Sequence, residues 1–207
     1  MVVVNFSTHQ YRAAQRRLMN SLNGRGLFIS DYPLGWPTHQ QSPYEFKIHA
    51  IEQAFELDDI VLWVDSSMYL KGDLSKIETI IKTDGYFMEE AGHYCGRWTN
   101  QHTRDYFKVT DEEMKQTTGG FIMFSAGLLG LNLKSELAME FFYKWKESAK
   151  AGCFAGDWSD HRHDMTCGSI IAQRLRMKYQ RGGSHLSYVG PGYSAPEQGS
   201  VFYCQGL

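Results

Sequence analysis

The sequence predicts an α/β domain built on a mainly parallel central sheet with helices on both of its faces. Two observations lead there. Short β-branched, apolar runs alternate with helix-period segments through the first ninety or so residues, in the order β-α-β-α-β-α-β. After them come two more strand-like runs and a long amphipathic segment, with no internal repeat, low-complexity tract or linker to divide the chain.

The elements follow from the N-terminus. Residues 2–6 are a short β-branched run and read as the first strand. Residues 10–22 carry a helical stripe of Tyr11, Ala14, Leu18 and Leu22, stopped by Asn23-Gly24-Arg25-Gly26. Residues 27–29 form a second strand, and residues 31–43 a loop rich in Pro and Gly. A helix is expected over 44–55, with Phe46, Ala50, Ile51 and Ala54 inward, then a third strand over 60–65. Asp73-Leu74-Ser75-Lys76 opens a helix that Asp84-Gly85 closes, and residues 86–88 look like a fourth strand. Residues 91–118 are polar and aromatic without a clear period. Strand-like pieces at 120–124 and 128–132 precede an amphipathic helix over 133–149, a loop over 151–163, and a helix over 165–177 with Asp164 at the cap position. The tail from Arg181 is rich in Gly and Tyr and ends in the apolar run 201–204.

Composition narrows the function classes. The 207 residues fit one domain, 1–207, and with 43% hydrophobic residues the chain can bury a substantial core. A formal charge of -2 provides no basic field for nucleic acid. No apolar run reaches the length of a membrane span, and the N-terminus lacks the basic start of a secretory signal. Cys95, Cys153, Cys167 and Cys204 form no CxxC pair, so reduced thiols in a cytoplasmic protein are the simplest account.

The most telling stretch is Ile60-Val61-Leu62-Trp63-Val64-Asp65-Ser66-Ser67, an apolar run of strand length that ends in a carboxylate and two hydroxyls. Ligands of open α/β sheets bind beyond the carboxyl ends of the strands, and a buried strand is a rigid post for a metal ligand. Asp65 fits that role, and it also fits the cap of a turn.

An apolar strand, an Asp-x-Asp-like turn, and then Gly72-Asp73-Leu74 resembles the metal site of A-fold (GT-A) glycosyltransferases, which use nucleotide sugars. Supporting pieces stand in the family's order: Asn5-Phe6-Ser7-Thr8 after the first strand, Ser42-Pro43-Tyr44-Glu45-Phe46-Lys47, Thr118-Gly119-Gly120-Phe121 leading to Ala126-Gly127, and His161-Arg162-His163-Asp164-Met165. The resemblance implies a single Rossmann-like domain, with residues 1–90 as a nucleotide-binding half and 91–207 as a sugar and acceptor half. It implies transfer of a hexose from a nucleotide sugar, UDP-linked, to a glycan, lipid or protein acceptor, with Mn²⁺ or Mg²⁺ as cofactor.

The same resemblance distributes roles. Asp65 would hold the cation, aided by Ser67, which stands where the family's second carboxylate is expected. His185, or else Gln205 beside Gly206, would add a C-terminal ligand. Asn5, Phe6 and Ser7 would line the nucleoside pocket, with Ser66 at the turn, and Gly119 and Gly120 would border the sugar. Lys47, a turn into its helix, faces either a diphosphate or solvent. Asp164 and Asp157, in the densest titratable cluster of the chain, are candidates for a base or for stabilising the sugar carbon, and Asp164 equally for a helix cap. Arg12, Arg16 and Arg17 read as a solvated helix face. Tyr11 fits stacking on uracil, and fits the apolar stripe better. Glu89 and Glu90 are possible sugar contacts, and Tyr94, Trp98, Trp158 and Tyr193 either a sugar platform or packing anchors.

Two other functions fit. A neutral Ser67 suits a transferase-like protein that binds nucleotide or sugar without turnover. A nucleotidyltransferase would need a Gly-rich basic loop after the first strand, where this chain has Ser7-Thr8-His9-Gln10-Tyr11.

Overall fold

The run Ile60–Val64 is buried at every residue and lies at the middle of the main sheet. The computed structural model describes residues 1–193, 195–197 and 199–205. In chain order the elements are β1 (Val2–Ser7), α1 (Arg12–Ser21), β2 (Leu27–Ser30), α2 (Phe46–Phe55), β3 (Ile60–Val64), β4 (Met68–Leu70), α3 (Ser75–Asp84), β5 (Tyr86–Phe87) and β6 (Glu90–Tyr94). There follow α4 (Gln101–Phe107), β7 (Ile122–Phe124), β8 (Leu128–Asn132), α5 (Glu136–Lys150), α6 (His163–Arg174), β9 (Leu186–Tyr188) and β10 (Phe202–Cys204).

The five-stranded sheet has the order β2-β1-β3-β8-β5. β1 is parallel to β2 and β3, while β8 runs antiparallel to both β3 and β5. The sheet is therefore mainly parallel with one reversed strand. That strand belongs to the second half of the sequence yet sits between two strands of the first, so the halves interleave. A three-stranded sheet, β4-β10-β9, and a two-stranded one, β6-β7, stand beside it.

Period-two alternation fills both faces. Val4, Phe6, Val61, Trp63, Leu129 and Leu131 point to one side, where Ile48, Ala50, Ile51 and Ala54 of α2 and Phe141, Phe142 and Trp145 of α5 complete a core. Val3, Leu62, Val64 and Leu128 point to the other, against Leu18 of α1 and Ile77 and Ile81 of α3. Each such fully buried aliphatic or aromatic side chain contributes on the order of 1.5–3 kcal/mol. α3 ends at Gly85, whose φ of 86° is left-handed and whose N–H returns to the Ile81 carbonyl at 2.9 Å.

Several elements depart from the sequence reading. The stretch 91–118 holds β6 and α4; α4 is seven residues long, only Thr103 is buried, and its start is set by the Asn100 side chain accepting the Thr103 amide. α2 begins at Phe46, because Tyr44 takes a φ of 61°. α6 begins at His163, after Arg162, so Asp164 lies inside its first turn and does not cap it. The three-residue strands β4 and β9 had no sequence signal.

Candidate active site

Three elements converge at the carboxyl end of β3. The Asp65 amide is fixed by the Gly127 carbonyl at 2.8 Å, an extension of the β3–β8 ladder. Asp65 Oδ1 accepts the Trp63 indole N–H at 2.7 Å and lies 3.3 Å from Lys47 Nζ. No side-chain donor among the described residues holds Oδ2. Gly127 leaves room for the carboxylate in this position, since a Cβ there would meet Asp65 Oδ2 at 2.9 Å and Met68 Cε at 2.7 Å.

Lys47 is neither solvated nor a surface cation. It is 2% exposed, and its ammonium donates to the Ala126 carbonyl at 3.1 Å and pairs with Asp164 Oδ2 at 2.9 Å as well as with Asp65. The ammonium thus has one hydrogen bond and two ion pairs, and next to no contact with solvent. Burial pulls the Lys47 ammonium down, but Asp164 and Asp65 outweigh it and hold it above the usual lysine range. Burial pushes the Asp164 carboxyl up, opposed by Lys47. Stripping the proton from a buried ammonium between two carboxyl groups would leave them without a counter-charge, so Lys47 stays protonated.

Beside Asp65 opens a cavity of about 400 Å³ lined by aromatic rings from the first part of the chain, among them Phe6, Tyr11, Tyr32, Tyr44 and Trp63. Phe6 packs against Tyr32 and Phe46, tilted to each, at centroid distances of 4.9 and 4.6 Å. Tyr11 is 37% exposed at this cavity and is no part of the α1 core stripe. Ser7 lines it with a buried Oγ that has no partner among the described residues. His39 and Gln40, from the loop over 31–43, were not anticipated. Burial, with His163 and Lys47 nearby, lowers the His39 pKa.

Asn5 and Ser66 hold the frame of the site. Asn5 is fully buried; its Nδ2 donates to the Val64 carbonyl at 2.7 Å and to Ser66 Oγ at 3.1 Å, and its Oδ1 accepts Gln15 Nε2 at 2.9 Å. The network ties the end of β1 to the Asp65 turn. The Ser67 carbonyl accepts Arg17 Nη2 at 3.1 Å and the Gln205 amide at 3.0 Å, so Arg17 belongs to the site and β10 closes over the turn. Arg12 pairs with Asp31, and Arg16 is exposed. Gly206 lies outside the described residues.

The other expected residues stand elsewhere. Gly119 and Gly120 belong to the turn before β7; the glycine at the carboxylate is Gly127. Asp157 is an exposed turn former whose Oδ1 accepts the Ser159 amide at 2.7 Å, and that bond with the Ser159 hydroxyl holds its carboxyl below the usual range. His185 Nδ1 lies 3.2 Å from Glu89, and Glu89 is buried and accepts the amides of Gly183, His185 and Leu186. Trp98 and Trp158 sandwich the Arg162 guanidinium at 3.8 and 4.1 Å, whereas Tyr193 stacks on Tyr188. The proposed platform is therefore two separate aromatic groups.

A hard divalent cation needs oxygen ligands. Among the described residues no three His, Cys, Asp or Glu side chains come together as a metal cluster. Asp65 Oδ2 and the partly exposed Ser67 hydroxyl fit as one anionic and one neutral ligand, if the rest come from phosphate and water.

No family model matches the chain, and no curated protein matches it in sequence. Solved structures do. The fold is similar to mouse xyloside xylosyltransferase 1 in its apo form, with a TM-score of 0.59 at 12% identity over 99% of this chain and 97% of that one. It is similar also to a glycosyltransferase involved in glycosylation of the major capsid of PBCV-1, with a TM-score of 0.57 at 14% identity over 99% and 93%. A third is the apo bifunctional glycosyltransferase WbbM, with a TM-score of 0.54 at 12% identity; this chain is covered over 98% but spans 45% of that one. The class these likenesses define is one of fold: an α/β domain with a mainly parallel sheet, of the A type found in glycosyltransferases. Among the described residues no helix is long and apolar enough to cross a membrane.

Proposed function

We propose that this chain is a metal-dependent glycosyltransferase that moves a hexose from a nucleotide sugar, UDP-linked, to an acceptor hydroxyl. One observation carries the reading: in this fold, a partly exposed carboxylate, Asp65, ends the central strand beside an aromatic cavity and is backed by the buried Lys47–Asp164 pair. The rings of Phe6, Tyr32 and Tyr44 suit a planar base, and the unpartnered Ser7 hydroxyl suits a hydrogen bond to the nucleoside.

Asp65 Oδ2 and Ser67 are the residues to hold Mn²⁺ or Mg²⁺, which when bound offsets the charge gathering on a departing diphosphate. The acceptor oxygen bonds to the anomeric carbon as the bond from that carbon to the diphosphate breaks. The electron pair leaves with the diphosphate, and the acceptor proton passes to a carboxylate or to the diphosphate itself. Asp164 acts as a positioning residue: it holds Lys47, which pairs with Asp65 Oδ1 and leaves Oδ2 without a protein donor among the described residues. Asp157 enters as a turn former.

The test is a panel of nucleotide sugars with and without Mg²⁺ or Mn²⁺, read as UDP release, beside calorimetric titration of UDP. Metal-enhanced UDP binding and metal-dependent release from a UDP-hexose are expected. No nucleoside diphosphate binding with metal present would overturn the reading. A neutral Ser67 in place of a second carboxylate favours one rival, a nucleotide-sugar binding protein, and its signature would be donor binding without release.

A further inference from the structure

A second cavity, of about 430 Å³, shares no lining residue with the aromatic one and is built from the second half of the chain together with Glu89 and Glu90. Its frame is set by Glu89, whose buried carboxylate gathers the amides of Gly183, His185 and Leu186 and so holds the loop before β9 against β6. On this frame stand Tyr188 and Tyr193, rings stacked with centroids 5.5 Å apart and planes 22° apart, yet 42% and 59% exposed. Two large aromatic rings stacked in the lining of a cavity and partly open to water leave ring surface for a ligand. Ser125 lines the cavity with Tyr188; its amide is held by the Glu89 carbonyl at 2.8 Å, and it stands two residues before Gly127, whose carbonyl fixes the Asp65 amide. The cavity is thus joined to the candidate reaction centre through the β7–β8 connection.

The described lining includes the carboxylates of Glu89, Glu90 and Glu197 and no Lys, Arg or His. Glu89 is spent on backbone amides and Glu197 on Arg181, while Glu90 has no ion pair or side-chain hydrogen bond among the described residues. An anionic ligand would meet uncompensated carboxylate charge here. A ligand with an apolar face and several hydroxyl donors would use both the ring faces and Glu90.

We infer that this cavity is the acceptor subsite and that it selects a neutral, hydroxyl-rich acceptor, a sugar ring lying on Tyr193 and Tyr188 with a hydroxyl donated to Glu90. The inference rests on the glycosyl-transfer reading above.

Saturation-transfer NMR tests it on the full chain with UDP and Mg²⁺, using lactose, cellobiose, chitobiose and a uronate-bearing disaccharide as probes, on wild type, Tyr193→Ala and Tyr193→Phe. UDP affinity is measured in parallel. At least one neutral disaccharide should bind, Tyr193→Ala should weaken it about tenfold, and Tyr193→Phe, which keeps the ring, should restore it, all with UDP affinity unchanged. The inference is overturned if UDP binds but no neutral disaccharide does, if Tyr193→Ala leaves sugar binding unaltered, or if the uronate-bearing sugar binds more tightly than its neutral counterparts. Failure of UDP itself to bind overturns the glycosyl-transfer reading, and the acceptor assignment with it.

Discussion

Lys47 Nζ lies 2.9 Å from Asp164 Oδ2, with both side chains all but removed from water, directly behind the partly exposed carboxylate of Asp65. The pair joins α2 to α6 across the face of the sheet on which Trp63 packs. A buried ion pair is weak evidence for stability, since desolvating both charges costs about as much as their attraction returns. What it provides is a fixed charge at a fixed place.

Removing one partner exposes that cost. Lys47→Met keeps the length of the side chain but leaves Asp164 buried without its counter-charge, and should destabilise the fold by about 3–5 kcal/mol. Lys47→Met/Asp164→Leu removes both charges and should be less destabilised than Lys47→Met alone. Urea unfolding midpoints of the four members of this cycle check the pair; a Lys47→Met variant as stable as wild type would show that the buried carboxylate does not need its partner.

Asp65 separates function from stability. Asp65→Asn retains an acceptor for the Trp63 indole N–H, so stability should change by about 1 kcal/mol or less. Metal-dependent UDP release should fall by roughly two to three orders of magnitude, the several kcal/mol a metal supplies to developing charge. The converse substitution, Ser67→Asp, adds the second carboxylate and should tighten Mn²⁺ binding in the absence of nucleotide, measured by the electron spin resonance of free Mn²⁺. Equal Mn²⁺ binding in Ser67→Asp and wild type would place the cation away from this turn.

Gly127→Ala probes the close approach of β8. The new methyl would press on Asp65 Oδ2 and Met68 Cε, both ends of side chains able to turn aside. The fold should survive, with a loss of about 1–3 kcal/mol from overpacking, while the carboxylate is displaced from the cavity. Calorimetry should then show weakened UDP binding with metal, in a protein that still unfolds in one transition with its midpoint lowered by roughly 2–10 °C.

Much of this arrangement was legible in the sequence because it is local. The run from Ile60 to Val64 announces a buried strand, and a carboxylate ending such a strand announces a site. Phe6 and Ser7 follow from the same logic at the end of β1. What was hidden depends on partners far apart in the chain. Gly127 meets Asp65 only because β8 pairs antiparallel with β3, in a register that pairs Trp63 with Leu129; sequence order alone favoured Gly119 and Gly120. Lys47 reads equally as a ligand contact or a solvated helix cation until Asp164 is seen across from it. Asn5 has the composition of a ligand contact and the geometry of a strut. β4, β9 and α4 are too short, and too little buried, for periodicity to register.

The loop over 151–162, which leads into α6 and Asp164, carries a pH dependence of its own. His161 is fully buried, and its Nε2–H donates to the Cys153 carbonyl at 2.8 Å, which the neutral ring satisfies. Burial lowers its pKa from the ordinary 6.5, more than its backbone hydrogen bonds raise it. The unfolded chain therefore binds a proton at a higher pH than the folded chain does. The stability His161 confers is complete above about pH 6.5 and is lost as the pH falls through the lowered folded value. His39, also lowered, adds to the loss in the same window. Thermal melting between about pH 7.5 and 5 should show wild type losing stability on acidification, and His161→Gln, which keeps a donor for the Cys153 carbonyl but cannot titrate, losing distinctly less. His39 remains in that variant, so the slope should shrink without vanishing; parallel curves for the two proteins would mean that His161 is not a source of the acid sensitivity.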